Sequence, residues 1–320
     1  MKRQQQILAA VLVLQIALAV FVFWPKPSAT TEEALIFPDM AMEDIVALTV
    51  ADEQGASVSM RKAEDDAWVL PDADDYPVRL ESVATLLDKV VILDTSRLVA
   101  RTEASHKQLR VSADDFVRRL DLETVDGTAY TLYLGSAPNY ASAHFRLDGH
   151  DETYLTSSLS EWEINATASS WVESAYLNIP QEALTQVVLE NSNGTFTFMR
   201  TKDNAWTLKE LPSTETLSAS KVSTLVSRVA GLSLMRPLGE SDDPAYGLDD
   251  PAAVVTLKTA DETVTLTVGA QEEAGAAYVV KASNSPYYVT AAEFNVQPLV
   301  EDTLADFLEA EPTPEPAVQP

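Results

Sequence analysis

Apolar and polar positions alternate along much of the chain with the two-residue period of half-buried strands, and twice they switch to a helical period. Val46, Leu48 and Val50 alternate ahead of a polar turn at Gly55, and Val187 and Leu189 ahead of one at Gly194. In each case a second strand returns and a short third one carries a tryptophan, Trp68 or Trp206. Each stretch therefore predicts a three-stranded meander. Val83, Leu86, Leu87, Val90 and Leu93 then fall at i, i+3, i+4, i+7 and i+10, as do Val222, Leu225, Val226, Val229 and Leu232. That spacing predicts two helices, each with one apolar stripe. Ser218 or Ser220 is placed to cap the second helix, while the first lacks an equally clear cap. Alternation resumes at Tyr130, Leu132 and Leu134 before Gly135, and at Val264, Leu266 and Val268 before Gly269. Each is followed by an aromatic-bearing strand (143–147; 276–281) and a short last one (153–156; 287–290).

These parallels are an internal repeat. Gly55 aligns with Gly194, Met60-Arg61 with Met199-Arg200, and Ala67-Trp68 with Ala205-Trp206, at an offset of 139 that slips to 138 at the tryptophan. The two helical stripes keep the offset of 139, and Arg97 and Arg236 align just beyond them. Each unit reads β-β-β-α-β-β-β-β. Trp68, Trp206, Gly55, Gly194, Gly135 and Gly269 are its expected structural core, with both indoles packed between strand and helix.

The first residues have a different pattern. Residues 7–24 are apolar except for Gln15, follow Lys2 and Arg3, and end at Trp24 before Pro25 and Pro27. This run is near the minimum for a membrane-spanning helix, and the preceding cations leave residues 1–6 in the cytoplasm. A cleaved signal peptide is the competing reading, disfavoured because prolines crowd the small-residue site. The sequence thus predicts an α+β protein. A transmembrane signal anchor (7–24) and a linker (25–40) precede two tandem β-rich repeats (41–160 and 181–308) joined by a connector (161–180). The last residues, 309–320, hold four prolines and no aromatic residue, and are expected to be disordered.

Composition narrows the function. Among 320 residues, 49 acids face 22 cations, for a net charge of −27. Residues 1–29 hold three of those cations and no acid, so the remainder carries 19 cations and 49 acids, a net −30. Such a body is a poor partner for nucleic acid or an anionic lipid surface. The absence of cysteine excludes disulfides, thiolate metal sites and a cysteine nucleophile.

Candidate chemistry is sparse. His144 and His150 lie six residues apart with Asp148, Asp151 and Glu152 nearby. A hydrolytic metal needs three or four converging ligands. A strand followed by a turn does not aim both imidazoles at one point, so a polar hairpin tip is the favoured reading. His106 reads as an isolated surface residue. Asp72, Asp74 and Asp75, like Asp242, Asp243, Asp249 and Asp250, lack the spacing of a calcium loop and read as solvated acidic turns. There is no Walker sequence, no dinucleotide fingerprint and no nucleophile elbow, so no cofactor is expected.

With these residues in place, the chain resembles the domain-of-unknown-function 4340 family over about residues 35–308. The matching features are Trp-x-Leu (Trp68, Leu70; Trp206, Leu208), the Val-x-x-Leu-Leu/Val helix after it, YGLDDP at 246–251 and Leu-x-Val-Gly at 266–269. WVESAYL at 171–177 resembles the family's joint between copies. The first copy departs from the pattern, with HKQLRV at 106–111. The resemblance implies an envelope protein of a bacterial inner membrane, single-pass, with its C-terminal body periplasmic. It also implies association with transporter-like components, including ABC-type ones, and carries no catalytic residues over. The expected function is a membrane-anchored binding or scaffolding protein for an envelope partner. A metal-dependent envelope hydrolase using His144–Glu152 and a glycan- or peptide-binding module are the alternatives.

Overall fold

The structure, a computed structural model, describes residues 34–272 and 275–309 together with Gln15. The predicted anchor (apart from Gln15), the linker up to residue 33 and the tail beyond Glu309 lie outside the described residues. Among the described residues no helix is long and apolar enough to cross a membrane. The described chain is a β-rich α+β protein with four α-helices and antiparallel sheets.

The first half builds β1 (Ile45–Asp52), β2 (Ser57–Lys62), β3 (Trp68–Leu70), β4 (Tyr76–Pro77), helix α1 (Leu80–Val91) and β5 (Leu98–Ala100). Helix α2 (Glu103–Leu109) and the small hairpin β6 (Val111–Ser112) and β7 (Asp115–Phe116) follow. Then come β8 (Arg118–Thr124), β9 (Ala129–Leu134), β10 (Ala143–Leu147) and β11 (Thr153–Thr156). The second half builds β12 (Gln186–Asn191), β13 (Gly194–Arg200), β14 (Trp206–Leu208), α3 (Ala219–Ala230) and β15 (Leu234–Gly239). It finishes with β16 (Ala253–Lys258), β17 (Thr263–Gln271), β18 (Ala277–Ala282), β19 (Tyr288–Ala292) and α4 (Glu293–Glu301).

The sheet orders are β4-β3-β2-β1-β8-β9-β10-β11-β5 and β14-β13-β12-β16-β17-β18-β19-β15. Apart from β4 the two are the same, strand for strand. Leu48 pairs with Met60 and Leu122, and Leu189 with Phe196 and Val255, so each meander is stitched to the later hairpins through its first strand. Helix α1 buries Val83, Leu86, Leu87 and Val90, and α3 buries Val222, Leu225, Val226 and Val229, in one apolar cluster with the inward strand residues. Each such side chain contributes about 1.5–3 kcal/mol of transfer free energy.

Three expectations need correction. The alternation Val46, Leu48, Val50 is broken by an irregularity between Ile45 and Ala47, so Ile45 takes the buried place and Val46 does not. Each unit also has an unexpected strand after its long helix, β5 or β15, and the first unit adds β4 and the hairpin β6–β7. The side chains of β5 are mostly exposed, and Pro237 looks like a strand breaker but is tolerated because β15 is a sheet edge. Finally, the connector is part of the core rather than a loose link. Ile164, Trp171, Val172 and Leu177 are buried, and the Trp171 indole donates to Asn165 O at 2.7 Å.

The second unit begins as the first does. Ile36 N donates to Leu93 O at 2.7 Å and Thr95 N to Ala34 O at 2.9 Å. Tyr176 N donates to Leu232 O and Leu234 N to Ser174 O, both at 2.9 Å. Thus WVESAYL is the lead-in segment of the second unit, joined by the single bridge Ala175–Ser233 as Leu35–Asp94 joins the first. Ser218 stands at the N-cap of α3 without a side-chain cap bond, its hydroxyl meeting that of Ser220 at 3.2 Å.

Candidate functional site

The histidines do not form one site. The His144 Nδ1 lies 2.6 Å from Ser136 O, the exposed His150 leaves its carbonyl to Arg146 Nη1 at 3.0 Å, and Asp148 lies 3.6 Å from Arg146 Nη2. Among the described residues no three His, Cys, Asp or Glu side chains are grouped so as to hold a metal ion. His106 is not a surface residue. It is 7% exposed, and its Nε2 lies 2.8 Å from Asp151 O, which ties α2 to the hairpin that follows β10.

The first acidic turn is more than a solvated loop, because it clamps the two units together. Asp74, in a left-handed conformation (φ 50°), accepts from Glu240 N at 2.7 Å, Ser241 N at 3.1 Å and the Ser241 hydroxyl at 3.2 Å. The Glu240 and then the Ser241 backbone N–H hold its carboxyl below the usual carboxylate range. Gly239 makes room: its φ is +103°, and a Cβ there would lie 2.5 Å from Asp74 Oδ2. Ala100 stands at the equivalent place in β5, so this clamp is not repeated.

Three tyrosines complete the junction. The rings of Tyr76 and Tyr287 lie 4.5 Å apart, while the Tyr176 hydroxyl donates to Tyr287 O at 2.7 Å and accepts from Ala282 N at 2.9 Å. Burial, with Tyr176, Tyr287 and Glu173 close by, pushes the Tyr76 phenol up to about 12 from its ordinary 10.0. The unfolded chain therefore loses this proton before the folded one does, and stability falls as pH rises from about 10 to about 12. Tyr176 and Tyr287 shift the same way. Urea unfolding across that range is expected to show the decline, and Tyr76→Phe is expected to make it shallower. An unchanged slope would contradict the assignment.

The two tryptophans differ. Trp68 is 4% exposed, and Lys62 Nζ stands 5.9 Å from its ring centroid and donates to Glu43 O at 2.9 Å. Trp206 is only partly buried and faces a cavity of about 350 Å³, lined by Gln181, Arg200, Asn204, Leu217, Ser223 and Val226 among others. The Arg200 guanidinium stands 6.0 Å from the indole centroid, and its Nη1 donates to Gln181 O at 2.9 Å. None of the ion pairs among the described residues includes Arg200. The repeat alignment already contained the signal, since Asp66 in one copy is Asn204 in the other, both left-handed at φ 64° and 62°.

The family model for a domain of unknown function, DUF4340, matches residues 68–251. The chain belongs to the DUF4340 family. Neither a curated protein nor a solved structure matches it. In this DUF4340 chain the match runs from the first tryptophan through the YGLDDP turn, so it covers parts of both units. The turn itself has a definite job. Gly247 is left-handed (φ 66°), and a Cβ on Gly269 would overlap the carbonyl oxygen of Tyr246. In the first unit a Cβ on Gly135 would overlap the carbonyl oxygen of Leu109, and the left-handed residue is Arg110 (φ 58°). HKQLRV is thus the same close approach as YGL, with arginine in place of glycine. Arg110 is steadied by ion pairs to Glu53 and Asp115. Gly55 and Gly194 serve the tips of the β1–β2 and β12–β13 hairpins, at φ 88° and 140°.

Proposed function

We propose that this DUF4340 protein is a single-pass, membrane-anchored binding or scaffolding protein. Its two-unit body would stand on the extracytoplasmic side of a bacterial inner membrane and serve an envelope partner such as an ABC-type transporter. The observation that carries the reading is the junction. Two copies of one strand order are locked by the Asp74 carboxylate, the Tyr76–Tyr287 contact and a buried connector. Such a joint holds two related but differently furnished faces at a fixed spacing, which suits a scaffold. The cationic start and apolar run of residues 7–24 support the anchor.

The test is affinity purification of the full chain from membranes solubilised in mild detergent. A membrane protein recovered at fixed stoichiometry, and lost when Asp74→Ala loosens the joint, is the expected result. Repeated recovery of the chain alone would defeat the proposal. The cavity beside Trp206 favours a second reading, a ligand-binding module, in which the partner is a small molecule or peptide.

A further inference from the structure

We propose that the outward face of the second sheet, from β14 to β17, is where two copies of this chain meet. The inference depends neither on the anchor nor on an envelope partner.

Strand register shows which residues the two units place on this face. Trp68 stands opposite Lys62 and Trp206 opposite Arg200. Leu48 lies between Met60 and Leu122, as Val187 lies between Phe198 and Leu257. These six residues are buried on the inner face, so their chain neighbours point outward. Counting from them, Arg61 corresponds to Met199, Arg119 to Val254 and Asp121 to Thr256. Three charged residues of the first unit are therefore neutral in the second.

The first unit closes this face on itself. Arg119 Nε donates to Asp121 Oδ2 at 2.9 Å, and the Thr131 hydroxyl donates to Asp121 Oδ1 at 2.7 Å. Arg61 Nη2 donates to both oxygens of Asp75, at 2.6 and 2.8 Å. Such a face is suited to water. In the second unit Met199 is 48% exposed, and Val188 and Val254 are only partly buried. The open area is bounded. The YGLDDP turn lies against Gly269 and Ala270 at the end of β17, and the outward Val279 of β18 is buried.

Charge points to a second copy as the occupant. The chain carries a net −27, so two copies repel wherever they present their acids. On β12, β13, β16 and β17 the outward charges are Glu190 and Lys258, which sum to zero. Gln186 stands opposite Lys258, so Glu190 lies four residues further along β12, about 13 Å away along the strands. A two-fold axis between the sheets, running across the strands through Val188 and Thr256, exchanges those two ends. Val188 and Thr256 then meet their own counterparts, and each Glu190 comes over the Lys258 end of the other copy. The contact is self-complementary, as a two-fold dimer requires. Five strands about 4.8 Å apart, with three outward rows, make a face of about 24 by 20 Å. Two such faces bury about 1,000 Å², the lower bound of specific interfaces, so the dimer is a weak, concentration-dependent one.

The test uses the full chain in mild detergent, its mass followed by sedimentation velocity over a concentration series. A monomer–dimer equilibrium is expected. Val254→Arg/Thr256→Asp introduces the pair that the first unit already carries at these places, so the fold accommodates it. It should weaken dimerisation about tenfold or more, because the new charges must be desolvated at the contact. Glu190→Lys should weaken it as well, by facing lysine with lysine, and Glu190→Lys/Lys258→Glu should restore it. The chain has no cysteine, so Thr256→Cys supplies a single thiol. A short bismaleimide should join two copies through that thiol, and not through Glu123→Cys on the corresponding face of the first unit. A wild type that stays monomeric across the series would overturn the proposal, even if another membrane protein accompanies it. So would a dimer that Val254→Arg/Thr256→Asp leaves intact, or one that Glu190→Lys/Lys258→Glu fails to restore.

Discussion

Gly269→Ala is expected to destabilise the protein by about 3–5 kcal/mol, near the upper end of single substitutions. Gly269 has an ordinary strand φ, so the loss would not come from the backbone angle. It comes from space. The new methyl would overlap the Tyr246 carbonyl oxygen and reach 3.0 Å from Leu248 Cδ2. Neither side can yield cheaply, because β17 is paired on both flanks, Val268 with Ala253 on one and Val280 on the other. Gly135→Ala, facing the Leu109 and Arg110 carbonyls, should behave alike. Gly55→Ala is the contrast. Its φ is +88° with nothing within 4 Å of the added Cβ, so only the left-handed penalty of about 1–2 kcal/mol applies. Urea unfolding of the three variants separates the cases, and equal losses at Gly269 and Gly55 would defeat the steric argument.

Phe307→Ala should cost about 3–5 kcal/mol, although it lies far beyond the family match that ends at residue 251. Phe307 is 1% exposed, with its ring 5.0 Å from Phe198 and 5.5 Å from Phe196. The turn that carries it is held by Asp306, which accepts from Thr303 N at 2.9 Å and from the Thr303 hydroxyl at 2.8 Å. Deleting the ring leaves two phenylalanines facing a void that this fixed turn cannot close. Thermal melts and urea titration measure the loss. A value below about 1 kcal/mol would mean that the segment after α4 is only loosely attached.

The helices and the paired hairpins were readable in the sequence because their signals are local. The stripe from Val83 to Val90 predicts the buried face of α1, and the same stripe from Val222 to Val229 that of α3. Strand β5 was not readable, because an exposed three-residue edge has no alternation to detect. His106 and Asp74 were misjudged for a shared reason. Their partners, Asp151 O and the Glu240 and Ser241 amides, are distant in sequence and are backbone groups, which leave no mark in residue identity. The glycines before the resumed strands could be marked as turn residues, but not as points where two backbones meet. At the second tryptophan the aligned Met-Arg pairs mislead: the one-residue slip falls in the β1–β2 turn, so strand register places Lys62, not Arg61, opposite Trp68 as Arg200 stands opposite Trp206.

The strand order has a kinetic consequence. In both sheets the central pairing joins the opening meander to hairpins that lie beyond the helix in the chain, as Leu48 meets Leu122 and Val187 meets Leu257. The local hairpins can zip early, but neither core is closed until that distant pairing is made, and closing so long a loop comes before any reward. Refolding should therefore fall in the slow, millisecond-to-second range of proteins dominated by non-local strand pairs. Until β8 or β16 arrives, the open flank of β1 or β12 is an unpaired apolar strand. The opposite unit offers a wrong partner at the same place in the strand order, so cross-pairing between copies is the characteristic misfolding hazard of this architecture.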